Sequence, residues 1–218
     1  MMRKGIALQF LLLVLVLSGC EKESYDTGDN KWSYMNAEFA LVHTSASATA
    51  DYAVTDDGER LTFSKPLAVS WAQTADSIYR SLVYYNKKGD VVEPITASQV
   101  LVAPCQAPYP DRAVVTDPLT FESAWAGGGY LNVGFAVKTG KLDSDTQLQA
   151  LGFLLSDVTT DSTGLRTAHV VMIHSQNGQP EYYSVRGYAS MPWPEDIGRI
   201  SLTVNTYVGK VVKTVDKK

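Results

Sequence analysis

The chain has 218 residues, of which 45% are hydrophobic, and it carries 19 basic and 23 acidic side chains for a formal net charge of −4. An acidic chain is repelled by the phosphate backbone, and no basic patch with interleaved aromatic residues occurs, so nucleic acid is excluded as a partner. This length and apolar content can bury one sizeable core or two small ones.

The first twenty residues are organised like a secretion signal. Arg3 and Lys4 precede an apolar stretch, residues 6–17, which is interrupted only by Gln9 and is followed by small residues. The stretch is too short to cross a bilayer, which needs about 20 apolar residues. We therefore predict a removable lipoprotein signal peptide over residues 1–19.

The last residues of this segment, "LSGC" ending at Cys20, resemble the lipobox of bacterial lipoproteins. The resemblance implies cleavage before Cys20, attachment of diacylglycerol to its thiol and acylation of the new amino terminus. The alternative is an ordinary secretion signal with an incidental cysteine. Several acyl chains, at about 0.8 kcal/mol per buried CH₂, anchor a protein stably. The expected location is the outer membrane, either periplasmic or surface-exposed.

Residues 20–32 are predicted to be a lipidated, flexible tether. The segment "EKESYDTGDNK" contains no aliphatic residue and cannot help to build a core. Its acidic residues Glu21, Glu23 and Asp26 are similar to a surface-export signal of some Bacteroides-group lipoproteins. A solvated spacer is the alternative.

Cys105 is the only cysteine that follows the tether, so the chain cannot form an internal disulfide after lipidation of Cys20. No motif supplies a neighbouring base for a cysteine nucleophile. We therefore expect Cys105 to pack as a small hydrophobic residue.

The first half of the chain predicts a small β-barrel over residues 33–105. Five or six short extended runs are separated by turn signals, which include Asp57-Gly58 and Lys88-Gly89-Asp90. Only residues 64–77 offer a short helical crossover. The number and spacing of the strands suit a small barrel.

The second half, residues 106–218, predicts an antiparallel β-sandwich. It follows a proline-rich boundary at residues 103–112, and Asn177-Gly178 gives a further hairpin signal. Half-buried alternation with hairpin turns implies two packed antiparallel sheets. The residues expected on inward faces are Leu131, Val133, Phe135 and Val137 in one strand, and Ile200, Leu202, Val204 and Val208 in another.

The order of these features resembles that of the NigD-like lipoproteins of the Bacteroides group. The resemblance rests on the lipobox, the acidic tether and the stretches "VYYNKKG", "GGYLNVGF" and "HVVMIHSQNG". It implies an all-β fold with an N-terminal OB-like barrel and a C-terminal, immunoglobulin-like β-sandwich. The family takes its name from a bacteriocin locus in which a member was proposed to confer immunity. No catalytic residues are established for it.

No motif in the sequence indicates a catalytic or metal site. His169 and His174 are five residues apart on one predicted strand, so they point to opposite faces and cannot share a metal. "AGGGY" at residues 126–130 lacks the Lys-Ser/Thr of a phosphate loop and is expected to form a corner or bulge. Residues 143–145 and 157–164 could supply oxygen ligands for calcium, with ordinary polar turns as the alternative.

We therefore expect no enzyme, no cofactor and no metal ion, and we interpret His43, His169 and His174 as structural or surface residues. No Gly-x-Ser-x-Gly stretch occurs. A hydrolase is the third and least favoured hypothesis; it would need a pair of carboxylates, whose approach depends on the fold.

The binding candidates are aromatic. Tyr188 and Trp193 lie in "GYASMPWP", and Trp125 precedes the glycine-rich corner. Tryptophan and tyrosine suit interfaces because they combine a large apolar area with a polar group, although core packing is the alternative. We predict a non-enzymatic, lipid-anchored envelope protein, a binding, accessory or bacteriocin-immunity-like factor that contacts a protein partner. The alternative is a carbohydrate-binding surface lipoprotein for glycan capture.

Overall fold

A computed structural model describes residues 35–108, 113–141 and 147–218. All regular elements in these ranges are β-strands, which confirms the all-β prediction. The predicted signal peptide, the tether with Cys20 and the Asp-Ser-Asp stretch at 143–145 lie outside the described residues. Within the described ranges, no helix is long and apolar enough to cross a membrane. The strands are β1 (Met35–Ala46), β2 (Thr49–Thr55), β3 (Arg60–Ala68), β4 (Ser77–Lys88), β5 (Val91–Gln99), β6 (Leu101–Val102), β7 (Cys105–Gln106), β8 (Thr120–Gly127), β9 (Tyr130–Thr139), β10 (Ala150–Thr160), β11 (Arg166–Ser175), β12 (Tyr183–Pro192), β13 (Arg199–Thr206) and β14 (Gly209–Asp216).

Strands β1 to β5 form a closed barrel in the order β1-β2-β3-β5-β4, as predicted for this half of the chain. The turns at Asp57-Gly58 and Lys88-Gly89-Asp90 connect antiparallel neighbours, whereas β3 and β5 are parallel. The barrel encloses small and β-branched side chains together with a few aromatic rings, since a five-stranded barrel has a narrow interior. Its core is Ala40, Val42, Ala50, Ala53, Leu61, Phe63, Leu67, Val69, Ala72, Val83, Tyr85, Val92 and Ala97.

The helical crossover predicted for residues 64–77 is wrong. Strand β3 continues to Ala68, and the residues after it form a loop without a helix. Val69 and Ala72 are buried in the barrel core, and both form backbone hydrogen bonds with Ala48. The apolar residues of this segment therefore cap the barrel interior; they do not form one face of a helix.

The remaining strands form a β-sandwich, which confirms the second half of the fold prediction. One sheet has the order β14-β13-β11-β10-β7 and the other β6-β12-β9-β8. Most neighbours are antiparallel, but the pairs β11–β13, β7–β10 and β6–β12 are parallel. The core between the sheets is Leu119, Ala126, Leu131, Val133, Phe135, Phe153, Ala168, Val170, Met172, Ala189, Met191, Trp193, Ile197, Ile200, Leu202 and Val204.

Two local expectations in the sandwich are wrong. Asn177 and Gly178 form a turn with φ values of 49° and 70°, but the flanking strands β11 and β12 belong to different sheets and do not form a hairpin. Val208 lies in the turn between β13 and β14 and is 95% exposed, whereas Ile200 and the other predicted members of its face are buried. A turn is specified by its own few residues, whereas the pairing and burial of the flanking strands depend on the rest of the fold.

The barrel and the sandwich belong to one compact unit, Asn36–Lys218. The chain passes from one to the other at Val100, because β6 pairs with β12 and β7 pairs with β10. The sequence predicts that the barrel extends to residue 105, but both short strands, β6 and β7, belong to the sheets of the sandwich. The outward face of β9 is buried as well, at Asn132, Gly134 and Ala136.

Candidate functional site

A buried hydrogen-bond network joins the barrel to the sandwich. Arg80 on β4 forms a bidentate ion pair with Asp56, with Nη2 to Oδ2 at 2.8 Å, and also donates to Oδ1 of Asn132 on β9 at 3.0 Å. Ser190 on β12 donates to the same Asn132 oxygen at 2.7 Å. The Arg80 side chain is 1% exposed and that of Asp56 18%. Bidentate, charge-assisted hydrogen bonds of this kind fix geometry as well as adding energy.

Aromatic rings surround this network. Phe39 on β1 packs edge-to-face against Trp125 on β8 and Tyr188 on β12, with ring centroids 5.2 and 5.1 Å apart. The Arg80 guanidinium lies 4.6 Å from the ring centre of Tyr130. Each aromatic pair contributes about 0.5–1.5 kcal/mol beyond its buried area. We call the set Phe39, Asp56, Arg80, Trp125, Tyr130, Asn132, Tyr188 and Ser190 the junction.

A glycine turn makes room for the ion pair. Gly128 and Gly129, with φ values of 62° and 81°, form the hairpin turn between β8 and β9. A Cβ atom at Gly127 or Gly128 would collide with the carboxylate of Asp56, whereas Gly129 faces open space. The glycine-rich stretch is therefore a tight turn, and its lack of side chains allows Asp56 to reach Arg80.

The first cavity at the junction, the cleft, has a volume of about 610 Å³. Its barrel wall consists of residues 37–39 and 55–57. Its sandwich wall consists of the segment from Trp125 to Tyr130 together with Trp193, Lys217 and Lys218. Polar and aromatic groups thus face one another across a space of the size that small ligands occupy.

The second cavity, the groove, has a volume of about 740 Å³. It is lined by Leu41, Tyr130, residues 78–80, residues 99–102 and residues 187–188. Ile78, Leu101 and Val102 in this lining are 52%, 41% and 42% exposed, so the groove presents apolar side chains to solvent. Contiguous exposed apolar surface of this kind marks interaction sites.

The three aromatic residues predicted to bind lie in different settings. Trp125 and Trp193 both line the cleft, and Tyr188 lines the groove. Trp193 is only 8% exposed and belongs to the sandwich core, where its indole N–H donates to the carbonyl of Ile197 at 2.8 Å. Trp125 and Tyr188 are half-buried in the junction. A binding role for the three stays a prediction.

The histidines do not gather at one place. His174 is buried and contacts the carbonyl of Asp117 and the amide oxygen of Gln149, while His169 contacts the hydroxyl of Thr159. His43 lies between the carboxylates of Asp51 and Asp76, at 2.7 and 3.1 Å, which raise its pKa. Within the described ranges, no three His, Cys, Asp or Glu side chains are grouped to hold a metal ion.

Cys105 and the polar turn at residues 157–164 have structural surroundings. Burial raises the pKa of the Cys105 thiol to about 11, which keeps it protonated and weakly nucleophilic near neutral pH. The Asp161 carboxylate accepts hydrogen bonds from the hydroxyl and N–H of Thr163 and from the N–H of Leu165. These bonds lower the pKa of Asp161. The Oδ1 atom of Asp161 therefore stabilises the turn that contains Asp161.

Sequence reasoning missed Arg80, Asp56 and Phe39, which hold the junction together. One signal was available: Arg80 interrupts the apolar run "SIYRSLVYY" on the strand face that also carries Ile78 and Leu82. A charged residue in such a position is almost never fully buried without a partner. The identity of that partner, 24 residues earlier, could not be deduced from spacing.

Comparisons with known proteins connect this architecture to proteins of the Bacteroides group. No protein-family model matches the chain, and no curated protein matches it. A solved NigD-like immunity protein from Bacteroides caccae aligns with 23% identity and a TM-score of 0.62, over 82% of this chain and 90% of that one. A Bacteroides vulgatus protein of unknown function, DUF1344, aligns with 18% identity and a TM-score of 0.64, over 84% and 91%.

A third solved structure, a candidate lipoprotein from Bacteroides fragilis, aligns with 8% identity and a TM-score of 0.55, over 84% of this chain and 98% of that one. At these identities the shared feature is the fold. The chain has the barrel-plus-sandwich fold of the NigD-like immunity protein, so the resemblance drawn from sequence is confirmed at the level of architecture.

Proposed function

We propose that this chain is a non-enzymatic, lipid-anchored protein of the cell envelope that binds a segment of a partner protein in the groove. The lipobox at Cys20 supplies the anchor. The protein of the same fold from Bacteroides caccae is named an immunity protein. An accessory or immunity-like function is therefore the form of binding that we favour.

The observation that carries this proposal is the exposed apolar lining of the groove. Ile78, Leu101 and Val102 come from both sides of the junction, where the Arg80–Asn132 hydrogen bond connects the two halves. Preorganised apolar surface favours binding because little conformational freedom is lost on association. The surface is absent from either half alone, since Ile78 belongs to the barrel and β6 to the sandwich.

The edge of β12 indicates what kind of segment would fit. Strand β6 pairs with β12 only at Ala189 and Ser190. In the part of the chain that the structure describes, no strand lies beside the rest of this edge, where Gly187 and Tyr188 line the groove. Free backbone groups on a strand edge accept an extended peptide, with side-chain pockets for specificity.

Photocrosslinking in intact cells tests this function. A benzophenone amino acid at Ile78 or Val102 is expected to yield one discrete protein adduct. The same amino acid at Val212, a more exposed residue of β14, is expected to yield none. The adduct should also disappear when Leu101→Asp is combined with the probe at Ile78. Equal crosslinking from groove and control positions would contradict a specific partner site.

A further inference from the structure

The cleft contains polar groups that the fold itself does not use. The carboxylate of Asp57, the hydroxyl of Tyr130 and the indole N–H of Trp125 all belong to its lining. Within residues 35–108, 113–141 and 147–218, none of these three groups has a hydrogen-bond partner. Two other groups in the lining do have partners: the Asp56 carboxylate is paired with Arg80, and the Trp193 indole N–H donates to the carbonyl of Ile197.

These three groups have complementary hydrogen-bonding capacities. An ionised carboxylate only accepts, an indole N–H only donates, and a phenol hydroxyl does both. A ligand that satisfies all of them must present several donors and acceptors close together. The hydroxyl groups of a sugar have this property, because each can donate and accept.

The aromatic rings supply the apolar part of the site. Trp125 and Tyr130 are half-buried, and both belong to the lining of the cleft. Aromatic rings combine a broad apolar surface with a polar group, which suits ligands that are apolar on one face and polar at their rim. A pyranose ring is such a ligand, since one face carries mainly C–H groups.

The charges around the cleft favour a neutral ligand. Glu38, Asp56 and Asp57 stand on the barrel wall, and Lys217 and Lys218 on the sandwich wall; because Arg80 neutralises Asp56, neither sign dominates. Glu38 accepts a hydrogen bond from the Tyr85 hydroxyl, and the Lys217 ammonium donates to the carbonyls of Pro194 and Glu195. The charged groups of Glu38 and Lys217 are thus already hydrogen-bonded within the protein, and we do not expect them to bind a charged ligand.

The geometry points to a second binding site in this protein: the cleft binds a short, neutral saccharide. Its ring stacks on Trp125 and Tyr130, and its hydroxyls bond to Asp57, to the Tyr130 hydroxyl and to the Trp125 indole N–H. The exposed glycines of the β8–β9 turn let the sugar approach the backbone, because Gly129 carries no side chain and faces open space.

Titration of the full-length protein with neutral trisaccharides tests this inference. The protein is kept in a detergent without a sugar headgroup, and binding is followed by isothermal titration calorimetry with maltotriose, cellotriose and N,N′,N″-triacetylchitotriose. We expect saturable binding of at least one. Asp57→Asn should weaken it about tenfold or more, as loss of a hydrogen bond to a charged group does. Trp125→Phe, which keeps the ring packing, should weaken it several-fold.

Two controls make the result specific. Asp90→Asn removes the same charge from the turn between β4 and β5, which is not part of the cleft, and should leave binding unchanged. Leu101→Asp, which disrupts the groove, should also bind the saccharide normally, so failure of the partner site and failure of this site are distinguishable. Absence of binding to all three probes, or equal binding by Asp57→Asn, would overturn the inference.

Discussion

Arg80 of the barrel and Asn132 of the sandwich share a hydrogen bond, with Nη2 and Oδ1 separated by 3.0 Å. Because Arg80 is almost fully buried and is also paired with Asp56, this contact connects the two halves at a point that solvent does not reach. The cleft and the groove both depend on it, since Arg80 or Asp56 is part of each lining. The junction therefore determines the shape of every surface that we propose to bind.

Removal of one member of the ion pair should be costly. In Asp56→Ala the Arg80 guanidinium stays buried without its counter-charge, so we expect a loss of about 3–5 kcal/mol in the free energy of unfolding, measured by urea denaturation. The double variant Asp56→Ala with Arg80→Leu should recover part of this loss, because no charge then stays buried. Glu93→Ala, which breaks the exposed pair with Lys65, should cost about 0.5 kcal/mol or less. Equal losses for Asp56→Ala and Glu93→Ala would contradict the assigned role.

Two neighbouring glycines provide a matched test of the turn. Both Gly128→Ala and Gly129→Ala place a side chain at positive φ, which costs about 1 kcal/mol or more. Only the Cβ at position 128 meets Asp56. We therefore expect Gly128→Ala to lower the melting temperature clearly more than Gly129→Ala. The reverse order would show that the Asp56 carboxylate does not need this space.

The three-residue group of His43, Asp51 and Asp76 should make stability depend on pH. Hydrogen bonds raise the pKa of His43 in the folded state; the bond to Asp51 has the larger effect and the bond to Asp76 the smaller. A raised folded pKa stabilises the protein fully below the unfolded value of about 6.5, and this contribution is lost as pH rises through the folded value. The stability difference between the unmutated protein and His43→Gln should thus be larger at pH 5.5 than at pH 8.5.

The control for this prediction is a variant that keeps the histidine. Asp51→Asn combined with Asp76→Asn removes both carboxylates that raise the pKa of His43, so a further His43→Gln change in that background should no longer cost more at pH 5.5 than at pH 8.5. A pH-dependent difference that persists without the two carboxylates would assign it to another group.

Trp193 should act through the core as well as through the cleft. Trp193→Phe leaves the carbonyl of Ile197 without its donor and removes part of a buried ring, so we expect a loss of about 1–3 kcal/mol in the free energy of unfolding. Tyr182→Phe, at an exposed position, should change it by less than about 0.5 kcal/mol. If Trp193→Phe were as stable as the unmutated protein, the hydrogen bond from the Trp193 indole N–H to Ile197 would not contribute to stability.

Features of the sequence that are local in origin predicted the fold well. Alternation placed Leu131, Val133 and Phe135 in the sandwich core, because one face of a strand is buried wherever a sheet packs on another. It could not predict that Asn132 and Gly134, on the other face of β9, are buried too. Asn132 is covered by Arg80 of the barrel, and Gly134 by Ser123 and Tyr188 of neighbouring strands, and alternation within one strand carries no information on such neighbours.

The sequence also could not predict which residues, distant from one another in the chain, come together at the site. Asn177 and Gly178 specify a turn whatever the fate of the flanking strands, so the predicted hairpin was wrong although the turn exists. Trp125 and Trp193 were recognised as candidates because they are tryptophans, and the structure brings them to one cavity. Asp56 and Arg80 gave no local signal of their pairing, because a bidentate ion pair depends on three-dimensional approach alone.

Labelling of growing cells with an alkyne analogue of palmitate decides most directly whether this protein works from a membrane anchor at Cys20. We expect the unmutated protein and Cys105→Ser to carry the label and to sediment with membranes, and Cys20→Ser to lose both properties. Recovery of the unmutated protein without label, in the supernatant after the membranes are removed, would contradict an anchored function.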